Sequence, residues 1–166
     1  MTTPKLDYHF TLRGYTTISL LLPSIKSGPT RLIASVTHGF LSGKGLEAEI
    51  LPGGADWSLV DQTSKISHLN VRVQAKLPNG KGVYIQYRGV LHIDVAAEKI
   101  LSGDTEAQTT EFGEHTWFVT PRFETNSEEW KWIENEVWVG QGRLVVDGEG
   151  EGGGRAVEYR IFRVVN

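Results

Sequence analysis

Apolar residues recur at every second position from one end of this chain to the other. Leu6, Tyr8, Phe10 and Leu12 alternate with Asp7, His9, Thr11 and Arg13, and Leu46, Ala48 and Ile50 alternate with Glu47 and Glu49. Val157, Tyr159, Ile161, Arg163 and Val165 close the chain in the same rhythm. A period of two puts alternate side chains on opposite faces of an extended backbone, so it predicts strands. Between the alternating runs stand turn-forming stretches, SIKSGP (24–29), HGFLSGKG (38–45), LPNGK (77–81) and DGEGEGGG (147–154). Many strands joined by short turns predict an all-β fold, a sandwich or a barrel, as a single domain over residues 1–166. Only about a dozen residues follow the last glycine-rich stretch, enough for one strand, so it reads as a hairpin tip rather than a linker.

Two segments break the rhythm. In NSEEWKWIENEV, Asn126 with Glu129 three residues later fits a capping box, and Trp130, Ile133 and Val137 recur at helical spacing. One main short helix is expected near 127–135. VAAEKILSG (95–103) fits a second, one- or two-turn helix stopped by Gly103.

Charge and composition narrow the function classes. A formal net charge of -3 with no basic cluster offers no electrostatic footprint for nucleic acid or an anionic membrane. The chain has no cysteine, which excludes disulfides, thiolate metal sites and cysteine nucleophiles. ISLLLP (18–23) is too short to span a bilayer and no signal-peptide pattern opens the chain, so an intracellular, cytoplasmic protein is expected. His9, His38, His68, His92 and His115 show no close metal-ligand spacing, so no metal is expected unless distant strands assemble one. The glycine-rich stretches lack a phosphate loop's lysine and helix, and no G-x-S-x-G elbow is present.

The hairpin around Asn79-Gly80 is the most informative local pattern. A three-residue loop, Pro78 to Gly80, pairs Ala75 with Val83, Val73 with Ile85 and Val71 with Tyr87, giving a uniformly apolar face. The opposite face then pairs Gln74 with Tyr84, Arg72 with Gln86 and Asn70 with Arg88. That hydrogen-bonding array is either solvated surface or the lining of a barrel lumen.

LPGGADW (51–57) sets a second landmark. Two glycines after a proline allow a sharp corner that aims Asp56 and Trp57. Asp56 is either a general base, or an anchor for an arginine such as Arg88, or a turn cap; Trp57 is either a pocket wall or core. In TPRFET (120–125), Arg122 and Glu124 share one face and form either an acid–base pair or a structural salt bridge. Trp117, Trp130, Trp132 and Trp138 are ordinary core candidates, but Trp117 and Trp138 lie on strands and are placed to line a lumen.

LPGGADW, VYIQYRG (83–89), TPRFET and WIENEVWVGQG (132–142), in that order and followed by VEYRIFRV, resemble the family known as domain of unknown function 3237. The resemblance runs from Arg31 onward and implies a single lipocalin-like β-barrel with one main helix. It also implies cofactor-free ring closure or isomerisation of an aromatic intermediate, the chemistry associated with fungal natural-product relatives. Relatives of bacterial type carry an acid at Asn70, a second base at Gln86 and an aromatic-basic pair at Phe118 and Val119. The less charged set here favours an apolar aromatic ligand.

Taken together, a cofactor-free cyclase or isomerase is expected, with intramolecular C–O bond formation as its specific reaction. Asp56 or Glu124 would deprotonate a hydroxyl and Arg88 or Arg122 would stabilise developing charge. Trp57, Asn70, Arg72, Tyr84, Gln86, Trp117 and Trp138 would hold the substrate. A non-catalytic carrier of a hydrophobic metabolite is the alternative. A structural dimerising domain is a third, in which Trp and Leu side chains fill the lumen.

Overall fold

A computed structural model describes residues 2–26, 28–148 and 154–166. Eight antiparallel strands close into a barrel in sequential order: β1 (Lys5–Leu22), β2 (Thr30–Gly43), β3 (Leu46–Asp61), β4 (Ile66–Lys76), β5 (Gly82–His92), β6 (Trp117–Thr125), β7 (Trp138–Val146) and β8 (Arg155–Val165). Closure leaves the paired part of the sheet without an edge, which is the lipocalin-like solution. The turn at 147–154 is joined at its base by Asp147 N–H donating to the Gly154 carbonyl (3.1 Å), while residues 149–153 lie outside the described residues.

The β4–β5 hairpin has the register that its apolar pattern demands. Ala75 pairs with Val83, Val73 with Ile85 and Val71 with Tyr87, around a turn in which Gly80 takes φ 81°. The apolar face points inward. Its side chains join Phe10, Leu12, Leu41, Phe123, Trp138, Tyr159 and Ile161 in one buried cluster that packs the barrel interior. Trp117 belongs to that core, where its indole lies flat against Gly142. A Cβ at Gly142 would sit 2.4 Å from the ring, so the tryptophan needs a glycine opposite it.

β1 departs from simple alternation. A bulge between Tyr8 and Phe10 reverses its faces, leaving Leu6 and Tyr8 exposed while Phe10 is fully buried. A second irregularity between Tyr15 and Thr16 and a third between Ile18 and Leu20 carry the strand past the barrel rim.

Two short helices flank the sheet. α1 (Val95–Ser102) starts at Asp94, whose side chain accepts from Ala97 N–H, and stops at Gly103 in the left-handed conformation. Asp94 also pairs with the buried His115 (Nδ1 to Oδ2, 2.6 Å), whose other ring nitrogen meets Thr110 Oγ1 at 2.9 Å. Thr110 Oγ1 in turn accepts from Leu144 N–H at 3.0 Å, so one chain of polar contacts ties α1 and the following loop to β7. Burial opposes ionisation of Asp94, yet the hydrogen bonds from Ala97 and His115 outweigh it and hold the carboxyl below its ordinary range.

The 127–135 segment is a 3₁₀ helix, Glu128–Asn135, and the capping box does not form. Ser127 occupies the cap without a side-chain bond, while Asn126 Oδ1 accepts from Gly82 N–H at 2.8 Å, which fastens the segment to β5 instead. Trp130 and Ile133 are buried as their spacing predicts, but the helix ends at Asn135 and leaves Val137 66% exposed.

Candidate functional site

With the apolar face filling the interior, the hydrogen-bonding array of β4–β6 lies on the outer face of the barrel. Strand register aligns its side chains in rows. One row runs Ile33, Trp57, and then, through β4 to β6, Asn70, Arg88 and Thr120. The next runs Leu22, Arg31, Leu59, His68, Val90 and Phe118. Between these two rows lies a groove of about 670 Å³, lined by Arg31, Trp57, His68, Asn70, Arg88 and Phe118 among others. Its size is that of a small-molecule site.

The corner at LPGGADW sets one wall of this groove. Register slips between Leu51 and Ala55, where Gly53 has φ 102° and a Cβ on Gly54 would come within 2.6 Å of the Arg72 carbonyl oxygen. Gln74 Nε2 donates to the Pro52 carbonyl at 2.5 Å and closes the bulge from the outside. Beyond it Trp57 emerges on the outer face, with the Arg72 guanidinium 5.8 Å from its ring centre and Arg31 donating to its backbone carbonyl at 2.6 Å. Trp57 is therefore anchored from both sides.

Asp56 goes the other way, to the inner face opposite Val71. Its carboxylate accepts from Asn70 N–H (3.0 Å) and from Ser58 Oγ (2.5 Å), bridging the interrupted ladder between β3 and β4. Burial pushes the Asp56 carboxyl above its ordinary range, against the pull of those two bonds and of Arg31. Tyr87 and Tyr159 stand near it in the interior with ring centres 5.2 Å apart, and burial, with the Asp56 charge adding to it, raises both phenols. Asp56 and Arg88 thus occupy opposite faces of the sheet and do not converge. The turn-cap alternative comes nearest, since Asp56 serves the backbone.

Arg122 and Glu124 share the outer face, as their spacing predicts, with Phe123 buried behind them. Among the described residues no ion pair joins them. They line a second, broader groove with Gln74, Tyr84 and Gln86, bounded on its far side by Lys131 and Glu134. Gln86, Arg88 and Arg122 also surround a small depression of about 270 Å³ that links the two grooves. Trp117 and Trp138 are core residues: Trp138 Nε1 donates to the Ile133 carbonyl at 2.9 Å, and its ring packs on Phe10 and Phe123. The structure therefore brings Trp57, Asn70 and Arg88 together, sets Arg72, Tyr84, Gln86, Arg122 and Glu124 beside them, and removes Asp56, Trp117 and Trp138 to the interior.

Arg31, His68, Phe118 and Thr120 are among the groove residues that lay outside the expected set. Their signal exists only in three dimensions, because each joins its row through pairing with distant strands. Asn70 Oδ1 is buried without a protein partner, an unsatisfied acceptor at the groove floor. Among the described residues no cluster of three or more His, Asp or Glu could hold a metal ion. Among the described residues no helix is long and apolar enough to cross a membrane.

A closed eight-stranded meander barrel with a packed interior and a ligand-sized outer groove defines the class of this protein. The chain belongs to the family described as protein of unknown function (DUF3237), whose model matches residues 4–164. It is similar to PR-toxin biosynthesis cluster protein 7 of Penicillium roqueforti, 31% identical over 63% of this chain and 56% of that protein. A UPF0311 protein of Clostridium acetobutylicum is 28% identical over 66% of each. The chain thus matches less than two thirds of the length of these relatives. Among solved structures, a protein of unknown function from Rhodopseudomonas palustris superposes with a TM-score of 0.82 at 19% identity, covering 99% of this chain and 100% of that one. A β-barrel-like protein from Acinetobacter baumannii gives 0.71 at 22%, over 99% and 98%. An enzyme from Penicillium herquei gives 0.60 at 14%, over 99% and 97%. At these identities the likenesses carry the fold.

Proposed function

We propose that this protein is a cofactor-free cyclase or isomerase that holds an apolar, oxygenated aromatic molecule in the outer groove and closes a ring by intramolecular C–O bond formation. The observation that carries this reading is the convergence of an anchored aromatic wall (Trp57), a facing aromatic (Phe118), two guanidinium groups (Arg31 and Arg88) and an imidazole (His68) around one space of about 670 Å³. Membership of a family with a relative named for a fungal biosynthesis cluster is consistent with it.

The chemistry assigned to these groups is addition of a phenol or alcohol O–H across an alkene. One C–O and one C–H bond form, while the O–H bond and the alkene π bond are consumed, so product and substrate have equal mass. His68 accepts the hydroxyl proton, and a proton returns to the alkene carbon from the same imidazole. Arg88 stabilises the charge that develops on the oxygen, and Asn70 lines the groove beside it. Trp57 and Phe118 select one folded conformer, which supplies proximity. Asp56 acts as a positioning residue through Asn70 N–H.

Incubating the protein with ortho-allylphenol, a phenol beside an alkene, tests the reaction class. The expected product is a methyl-substituted dihydrobenzofuran of equal mass, enriched in one enantiomer on chiral chromatography, with many turnovers per protein. Racemic product at the rate of buffer alone would refute catalysis, and tight binding with unchanged phenol recovered would make the protein a carrier.

A further inference from the structure

β1 runs past the point where β8 stops pairing with it. β8 pairs with β1 from Val165 back to Ala156, opposite Tyr15, whereas β2 continues to pair with β1 as far as Leu22. From Thr16 to Leu22 one side of the strand is consequently a free edge: among the described residues no backbone hydrogen bond reaches it from another element. The C-terminal end of α1 flanks Thr16 to Ile18, so the open part begins at the bulge near Ser19. There Leu20, Leu21 and Leu22 are 45%, 54% and 42% exposed in succession.

Among the described residues nothing covers this edge from Ser19 onward. Natural sheets blunt such edges with lysines, inward charges or helices laid across them. Here the sequence carries no charged side chain from Gly14 to Ile25. An uncharged edge can meet its own copy without like-charge repulsion, and an antiparallel strand pair is self-complementary about a two-fold axis. A charged or bulky foreign partner has no such match.

The same leucines continue the functional face. Leu20 pairs with Ile33, which pairs with Trp57, and Leu22 pairs with Arg31 in the row that ends at Phe118. We propose that two copies of this chain join edge to edge through β1, antiparallel about a two-fold axis at Leu21, so that Leu20 of one copy lies opposite Leu22 of the partner subunit. This register keeps outward leucines on the outward face in both copies and sets all three exposed leucines against leucines of the partner subunit. The paired leucines then extend the sheet beside each groove and make the partner part of its apolar rim. That last consequence rests on the groove being the site, whereas the pairing itself does not.

The absence of native cysteine allows a direct test. A residue on the axis faces its own copy, at a separation that a disulfide can span. Leu21→Cys should therefore cross-link to a covalent dimer under mild oxidation, while Val95→Cys, on the exposed start of α1, should not. Wild-type protein should sediment at twice the 18.4 kDa of one chain, and Leu21→Lys should sediment as a folded monomer. A monomeric wild type, a Leu21→Lys dimer, or Leu21→Cys cross-linking no faster than Val95→Cys would overturn the proposal. None of these readouts depends on turnover, so failure of the proposed reaction leaves the pairing tested on its own terms.

Discussion

Replacing Arg88 with Met should lower turnover of a cyclising phenol by roughly 100-fold or more while leaving the melting temperature within about 2 °C of wild type. The side chain is exposed on the outer face beside Asn70 and Thr120, and among the described residues it forms no ion pair. Methionine keeps the length and the apolar stem, so what disappears is the guanidinium. A group that stabilises charge only as the C–O bond forms lowers kcat more than it raises KM when removed. Parallel losses of activity and thermal stability would instead make Arg88 a structural arginine, and the proposed mechanism would lose its main electrostatic element.

Trp138→Ala should behave in the opposite manner, destabilising the fold by about 3–5 kcal/mol and lowering the melting temperature by on the order of 10 °C. Its indole is buried against Phe10 (ring centres 5.3 Å), Phe123 (5.5 Å) and His9 (5.4 Å). Its N–H also satisfies the last turn of the 3₁₀ helix through the Ile133 carbonyl. Removal opens a cavity and frees the 3₁₀ helix from its hydrogen bond to β7. Thermal denaturation by circular dichroism measures the loss. A small shift in melting temperature together with lost ligand binding would return Trp138 to the role of a pocket wall.

The fold was legible in the sequence because period two and turn chemistry are local. The β4–β5 hairpin shows this best: its register followed from demanding one apolar face, and Ala75–Val83, Val73–Ile85 and Val71–Tyr87 are the observed pairs. Gly103 likewise ends α1 where its left-handed conformation is needed. What local pattern misread was competition. Asn126 matched a capping box, but the β5 backbone at Gly82 offered its side chain a better donor. In β1 a single extra residue near His9 moved Leu6 and Tyr8 to the outside.

The site was only half legible. Trp57, Asn70 and Arg88 could be found because they sit in or beside a hairpin and a glycine corner, both of which are short-range features. His68 and Phe118 could not, since each reaches the groove through a row that crosses six strands. Trp117 and Trp138 were candidates for a lumen lining on the strength of lying in strands, and residue type alone does not separate a wall from a core. The decisive features are Gly142 opposite Trp117 and the aromatic cluster around Trp138. Asp56 falls on the wrong side of the sheet for a partner of Arg88 because the two-residue slip at Gly53 and Gly54 preserves the alternation and keeps it on the inward face of Leu46, Ala48 and Ile50.

The central claim is that ligand binds on the outside of this barrel and not within it. The five tryptophans report on that directly, because Trp57 lies in the groove while Trp117 and Trp138 lie in the core. Fluorotryptophan-labelled protein titrated with ortho-allylphenol and followed by fluorine NMR should show the Trp57 resonance shifting with saturation while those of Trp117 and Trp138 stay in place. Saturable shifts of Trp117 and Trp138 with Trp57 unmoved would put the ligand in the lumen and contradict the account.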